Sequence, residues 1–412
     1  MNTGAAIGRV TAGLTGCGRI VPLAAMSGTA LACALGSPAP AAATPRIVDV
    51  TAASGIRDVT TTWSAEAGDL NDDGSDDLLV GNHHAKPAYL YINRNDGTFT
   101  RVATRFRTRD RHDCSFGDAN GDGRQDIYCS IGGSKGSGLH SNELWIQGPS
   151  GEFKNEADAY GVADKRGRGR DNTFIDVNHD GYEDLYVGNK FPRTDGLESK
   201  NKLYINDGGD HFHSAPSYGV NRQAGGKIVQ AVDYDGDTWK DILLCGGGHV
   251  VLYRNLRGAR FKDVARRDGF RIPCESVLMA NLNSDRRPDI AVVTWSSLRV
   301  LLQKPDHSFG HPRLAHRLHG GREIASGTVN ADRLDDLYVV QNGRPNHDRP
   351  DRLYLNEGGA THLRSIRIPQ TRRGKGDYVT SLDYDGNGRS DFLVMNGYFK
   401  HPGPVRLLAT RP

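Results

Sequence analysis

The chain has 412 residues, with 52 Lys plus Arg against 49 Asp plus Glu, and 51 glycines. That length accommodates one large domain or two ordinary ones. Its 37% apolar share and formal charge of +3 exclude a disordered chain, and its glycine content favours an all-β protein rich in turns over a helical bundle.

The first segment reads as an export signal over residues 1–43. Arg9 and Arg19 carry positive charge, no acid precedes Asp49, and Ile20 to Leu35 is short and mostly apolar. Ala41-x-Ala43 is a suitable cleavage site, so the mature chain is expected to begin at Thr44 and to be secreted. A retained membrane helix is the weaker reading, because Pro22 and Gly28 interrupt the stretch. Lipid anchoring at Cys33 is the minor alternative. No later segment is apolar and long enough to span a membrane as a helix.

Residues 46–55 form a strand pattern that resembles Phe261 to Gly269 further along. The chain ends on Val405 to Ala409, a third strand lacking a fourth. Pairing of Ile47–Val50 with Val405–Leu408 is therefore expected, and it removes open edges.

Between these ends one acidic pattern recurs seven times, about 47 to 58 residues apart, within the range of propeller blades. Turn one carries Asp69, Asn71, Asp73 and Asp77, with Ser75 at position seven. Turn two has Asp118, Asn120, Asp122 and Asp126, with Arg124. Turn three has Asp176, Asn178, Asp180 and Asp184, with Tyr182. Turn four has Asp233, Asp235, Asp237 and Asp241, with Trp239. Turn seven has Asp383, Asp385, Asn387 and Asp391, with Arg389. Turns five and six retain only Asp285 with Asp289 and Asp332 with Asp336, and Arg286 and Arg333 replace the glycine of position six.

A second motif alternates with the first, as in Leu90-Tyr91-Ile92-Asn93 before Gly97 and Phe99, or Leu203-Tyr204-Ile205-Asn206 before Gly208. It reads as strand, glycine turn, strand. Four short antiparallel strands per unit make a blade, and seven units make one seven-bladed β-propeller spanning residues 44–412. No second domain is expected.

Acids at positions one, three, five and nine converge when a tight turn wraps around them, and position seven adds its backbone carbonyl. Hard oxygen ligands in this number suit Ca²⁺ over Zn²⁺. Five metal-bearing turns are expected. In turns five and six the arginine at the glycine position is expected to replace the ion. An EF-hand is rejected, because β-patterned residues flank the turns and no Glu follows at position twelve.

Four cysteines lie beyond the leader: Cys114, Cys129, Cys245 and Cys274. In an exported chain they suggest bridges 114–129, across one turn, and 245–274, between neighbouring blades. Four buried thiols is the other reading.

The repeats resemble the FG-GAP or VCBS-type repeat of the integrin-α N-terminal propeller. The run Gly68-Asp69-Leu-Asn71-Asp-Asp73-Gly74, Asp77-Leu78 and Gly97-Thr98-Phe99 is similar to bacterial relatives of the cartilage acidic protein family. The resemblance implies a seven-bladed ring with calcium between the first two strands of each blade. The name-giving Phe-Gly and Gly-Ala-Pro elements are reduced to fragments such as Phe116-Gly117, and activity is not implied by the fold.

Loops at the end opposite the acidic turns are cationic and bear His and aromatic residues. The candidate ligand-binding residues are His83, His84, Arg111, His112, Arg170, Asp171, Lys190, Arg193, His249, Trp295, Arg322, Glu323, Arg344, His347, Tyr378 and His401. A face of one sign steers oppositely charged ligands. Acids at Asp113, Asp171, Glu275, Glu323 and Asp377 are expected around the channel mouth.

The expected function is a monomeric binding module for an acidic polysaccharide, a cell-surface glycan or a protein. The alternative is a calcium-dependent polysaccharide lyase or hydrolase using Asp171, His249 and Tyr378. A purely structural scaffold is the third reading. No nucleophile elbow, zinc-protease helix or phosphate loop is present. Nucleic acid is not expected of an exported chain with near-neutral charge and no recognised binding motif.

Overall fold

Strand β1 (Arg46–Asp49) and the short β2 (Val59–Thr60) precede the first complete blade. The computed structural model describes residues 44–412 except 62–63, 84–85, 133–139, 191–198, 222–224, 331, 343–348, 361, 372–375 and 398–401. The expected leader, 1–43, and the candidates His84, Arg193, Arg344, His347 and His401 lie outside the described residues.

Blade one contains β3 (Ala65–Gly68), β4 (Asp77–Val80), β5 (Tyr89–Asn93) and β6 (Phe99–Val102). Blade two contains β7 (Arg111–Gly117), β8 (Asp126–Ile131), β9 (Glu143–Gln147) and β10 (Phe153–Asn155). Blade three runs through β11 (Gly169–Ile175), β12 (Asp184–Asn189), β13 (Lys202–Asn206) and β14 (Phe212–Ser214). Blade four has β15 (Gly226–Val232), β16 (Asp241–Gly246), β17 (His249–Asn255) and β18 (Phe261–Asp263). Blade five has β19 (Ser276–Ala280), β20 (Asp289–Val293), β21 (Ser297–Leu301) and β22 (Arg313–Arg317). Blade six has β23 (Gly321–Gly327), β24 (Asp336–Gln341), β25 (Asp351–Asn356) and β26 (Leu363–Ile368). Blade seven has β27 (Tyr378–Leu382), β28 (Asp391–Met395), β29 (Gly403–Arg411) and, from the other end of the chain, β1. Among the described residues the only α-helix is the four-residue Val264–Arg267.

Every blade is antiparallel and meanders outward from its first strand. The first strands β3, β7, β11, β15, β19, β23 and β27 touch one another in that order and close back on β3. They therefore surround the ring axis. Second strands are sandwiched between neighbouring blades, which explains their unbroken apolar runs. All six residues of β12 and of β24 are buried.

The core is divided in the same way. Seven apolar clusters fill the seven seams, each drawing side chains from two adjacent blades. Burial of this apolar surface, at about 25 cal/mol per Å², holds blade to blade. No blade has a core of its own, as in other repeat architectures.

Ring closure uses the expected strands in a different register. Ile47 pairs with Thr410, Val48 with Ala409 and Asp49 with Leu408. On its other edge β29 sets Val405 to Leu408 against Met395 to Phe392 of β28. Strand β29 is longer than expected, and β1 zips along its far half. Both disulfides form. Cys114 and Cys129 are directly opposed in β7 and β8, and Cys245 joins blade four to Cys274 just before β19.

Candidate functional site

Each acidic turn joins the first and second strands of its blade, so all seven lie at one end of the ring. The position-nine aspartate is the element common to all. Asp77 accepts the N–H of Leu70 (3.1 Å) and of Asn93 (2.8 Å). Asp126, Asp184, Asp241, Asp336 and Asp391 repeat this double clamp between the turn and the end of the third strand. Asp289 receives Gln303 N–H at 2.8 Å. This role persists in turns five and six, which keep only one other acid each, Asp285 and Asp332, at the metal positions. Burial pushes these carboxyls up to about 6 for Asp77 and Asp289, and to about 7 for the other five.

Position one closes the loop. Asp69 accepts from Asp73 N–H (3.0 Å) and Gly74 N–H (2.7 Å). Position six has a left-handed backbone, φ 87° at Gly74 and 89° at Gly181. Thr238 and Arg286 adopt the same conformation, at 75° and 64°, although side chains are strained there.

In turn five the arginine that meets a carboxylate is not the one at the glycine position. Arg287, at position seven, approaches Asp285 at 2.5 Å; its neighbour Arg286 occupies the left-handed corner. Arginines also stand over three of the fuller turns. Arg124 pairs with Asp122, Arg254 with Asp235 (2.6 Å) and Asp237 (3.2 Å), and Arg411 with Asp385.

The donor set of hard carboxylate oxygens fits a calcium-like ion in turns four and seven. Asp233, Asp235 and Asp237 bring one oxygen each within 4.8 Å of one another, as do Asp383, Asp385 and Asp391. Asp233 Oδ1, Asp235 Oδ1 and Asp385 Oδ1 are buried and accept no hydrogen bond.

Two sets of residues that link the turns carried no role in the sequence reading. Asn93, Gln147, Asn206, Asn255 and Asn356 end their third strands and Gln303 lies two residues past its own, and each donates its side-chain amide to a position-two carbonyl in the preceding blade. At the last seam Arg389 reaches Val329 O at 2.6 Å instead. Position eight supplies the second set. Glu183 accepts Asp118 N–H (2.7 Å), and Asp335 accepts Asn281 N–H (2.6 Å). The recurrence of Asn after Leu-Tyr-x and the acids beside Asp77, Asp184 and Asp336 were the available signals.

The opposite end is the channel mouth. Strands β7, β11, β15 and β23 each carry a bulge there, at His112, Arg170, Ile228 and Arg322. A bulge sets two residues against one and re-aims their side chains. Three of these four positions are predicted ligand residues, each followed by an acid or a branched residue on the channel wall.

Behind the mouth lies an acidic lining. Asp113 and Asp171 are buried side by side; burial and then the neighbouring Asp171 raise Asp113, and burial raises Asp171. Asn172 Nδ2 donates to Asp113 at 3.2 Å, and Val229 N–H donates to Asp171 at 3.0 Å. Glu323 is buried to 3% exposure and is pushed to about 7 by that burial, opposed by Lys227 and a hydrogen bond from Ser276. Glu66, absent from the sequence candidates, rises to about 8 through burial and then Asp171. Tyr378 is raised by burial and by Asp113, Asp171, Glu66 and Glu323 around it.

Cations converge above this lining. Lys190 is lowered by burial and then by Arg170, Arg168, Lys227 and Arg322. Arg170 itself falls to about 10 through burial and Arg168. Arg322 bridges to Asp377 (3.1 Å) in the next blade and to Glu275 (3.5 Å) in the preceding one. Trp295, in the loop between β20 and β21, is 48% exposed.

Other candidates are placed differently. Arg111 is fully buried and locked to Glu143 at 2.7 and 2.9 Å, so its guanidinium does not reach a surface ligand. His83 and His112 are buried against Asp110. Burial and Arg170 push His112 down to about 3. Burial alone would raise Asp110, but hydrogen bonds from His112 and His83 hold it well below the carboxylate range. Asp171 and Tyr378 meet at the axis. His249 starts the third strand of its blade, opposite Gly246, and faces Gly247 O at 3.1 Å. Two strand spacings, about 10 Å, part it from the channel wall, so the three do not form a catalytic trio.

The FG-GAP-like repeat matches the chain at residues 69–129 and 233–292. Each match opens on an acidic turn and runs into the second strand of the following blade. The chain carries FG-GAP-like repeats on a seven-bladed β-propeller. No curated protein matches its sequence. The FG-GAP propeller is similar in fold to an Agrocybe aegerita lectin described for specific recognition of non-reducing terminal N-acetylglucosamine. Identity is 16%, TM-score 0.51, and coverage 78% of this chain and 87% of the lectin. It is also similar to virginiamycin B lyase from Staphylococcus aureus, at 9% identity and TM-score 0.51, covering 89% of this chain and 99% of the lyase. At these identities the likeness is one of architecture.

Proposed function

We propose that this FG-GAP propeller is a secreted, calcium-binding module that holds an acidic polysaccharide against its channel mouth. The observation that carries the reading is the convergence of Arg168, Arg170, Lys227 and Arg322 on Lys190 at the end opposite the acidic turns. Several cations at one rim attract a polyanion and steer it. Exposed Trp295 adds a flat apolar surface on the same end, of the kind that lines ligand sites. The lectin and the lyase lend only their architecture. Terminal N-acetylglucosamine is uncharged, whereas this rim favours an anion.

Calcium would be held in turns one, two, three, four and seven by the carboxylates and amide oxygens named above. It would neutralise acids that burial and mutual repulsion otherwise penalise. The clamped position-nine carboxylates would then serve both the fold and the ion. Among the described residues no helix is long and apolar enough to cross a membrane, and export through residues 1–43 accords with the two disulfides.

The test is retention of calcium-loaded protein on polyuronate and neutral-glycan columns, with assay for new chain ends. Wild type is expected to be retained on polyuronate, in a salt-sensitive manner, and to create no ends. Lys190→Glu with Lys227→Glu should abolish retention while the fold survives. Unchanged retention in that variant would remove the rim from the proposal. New unsaturated ends would replace binding with lyase chemistry around Tyr378 and its acids.

A further inference from the structure

We propose that His83, Asp110 and His112 form a site for one divalent first-row transition ion at the seam between blades one and two. His83 Nε2 lies 2.8 Å and His112 Nε2 3.3 Å from the same oxygen, Asp110 Oδ1. One donor atom from each residue falls within 4.8 Å of the other two. Ligands held at about 2.0–2.2 Å from one ion in tetrahedral or octahedral geometry stand roughly 2.9–3.5 Å apart. The two nitrogen–oxygen separations are thus close to those of neighbouring ligands.

The backbone preorganises the cluster. His83 and Asp110 form a β-bridge between the two blades. His83 is further fixed by its N–H to Thr61 O (2.9 Å) and by Thr61 Oγ1 to its carbonyl (2.8 Å). Gly132 N–H donates to Asp110 O at 2.8 Å. His112 is the bulged residue of β7, which turns its ring towards Asp110. The two imidazoles stand edge to face, planes at 85° and centroids 5.3 Å apart. A Cβ at Gly132 would fall 2.3 Å from His112 Nε2 and 2.7 Å from Asp110 Oδ2, so glycine there keeps the cluster clear.

Two imidazoles and one carboxylate are a borderline donor set that favours zinc-class ions over the all-oxygen preference of calcium. The site is separate from the acidic turns, which lie at the other end of the ring. Three protein ligands leave a coordination position for water or an incoming oxygen. Asp110 and the two histidines are each at most 8% exposed, a setting in which an ion is retained.

The experiment uses full-length protein, stripped of metal and returned to excess Ca²⁺. Cu²⁺ is added as the probe, and pulsed electron paramagnetic resonance counts the coupled imidazoles. One Cu²⁺ per chain with two imidazoles is expected, displaced by Zn²⁺. His83→Gln and His112→Gln should each leave one imidazole. His213→Gln, in the exposed Asp207 cluster with His211, should change nothing. Anomalous diffraction at the zinc edge from Zn²⁺-soaked wild-type crystals gives a reading that needs no variant, with a peak expected between His83 and His112. No peak there, or a two-imidazole signal insensitive to both substitutions, would overturn the site and leave Asp110 as a hydrogen-bonded bridge between two rings.

Discussion

Asn255 and Val177 are 78 residues apart, yet the side-chain amide of Asn255 donates to the Val177 carbonyl at 2.9 Å. The backbone N–H of Asn255 meanwhile donates to Asp241 at 2.7 Å. One residue thus ties its own turn to its own blade and its blade to the one before. Because the same bond recurs at six seams, it is a main polar component of the ring, alongside the apolar seams. Asn255→Ala removes it and leaves a buried carbonyl unpaired, which should cost about 1–3 kcal/mol. Urea unfolding with unchanged m-value is the measurement. A shift within error would assign the seams to apolar packing alone.

Calcium should stabilise the folded ring by linkage, by about 2.7 kcal/mol for a site at a hundredfold excess over its Kd. Chelation is therefore expected to lower the melting temperature. Asp383→Ala should remove one ion per chain by atomic emission, and Asp332→Asn none. A melting temperature indifferent to chelator would overturn the calcium assignment.

Stability should fall as pH rises through the range set by Glu323. Its folded value, about 7, lies above the unfolded one of about 4.3. The folded protein therefore binds more protons between these limits, so the penalty is absent below about pH 4 and complete above about pH 7. Glu323→Gln should remove roughly 2–3 kcal/mol of this loss, seen as a smaller difference in melting temperature between pH 5 and pH 8 than in wild type. An unchanged difference would place the pH dependence in other groups.

The Cys245–Cys274 bridge closes 29 residues and joins two blades. Replacing both cysteines with serine should cost about 3.5 kcal/mol. The Cys114–Cys129 bridge closes 15 residues within one hairpin and should cost slightly less. Guanidine unfolding of the two double variants compares them, and equal loss would argue against a loop-length origin.

The blade count, the strand order within a blade and the partner of the N-terminal strand were legible because turn chemistry repeats at a fixed spacing. The register of that last strand was not. A period-two pattern tolerates a slide along β29, and only the extension of β29 to Arg411, seen in three dimensions, sets Ile47 against Thr410. Arg111 reads as a surface cation for a similar reason. Its partner Glu143 is 32 residues away on another strand, and no local pattern announces the pair.

The sequence by itself determined the ring of seven acidic turns, since tight turns need Asp, Asn and Gly at set positions whatever surrounds them. It also placed the cations at the other end, because strand direction alternates along the chain. Tertiary structure alone decided which of those residues meet. Glu66 joins Asp171, Lys190 faces four arginines and lysines, and Asp110 stands between two histidines. Such meetings depend on bulges and blade packing, which bring distant residues within bonding range, and a linear pattern encodes neither.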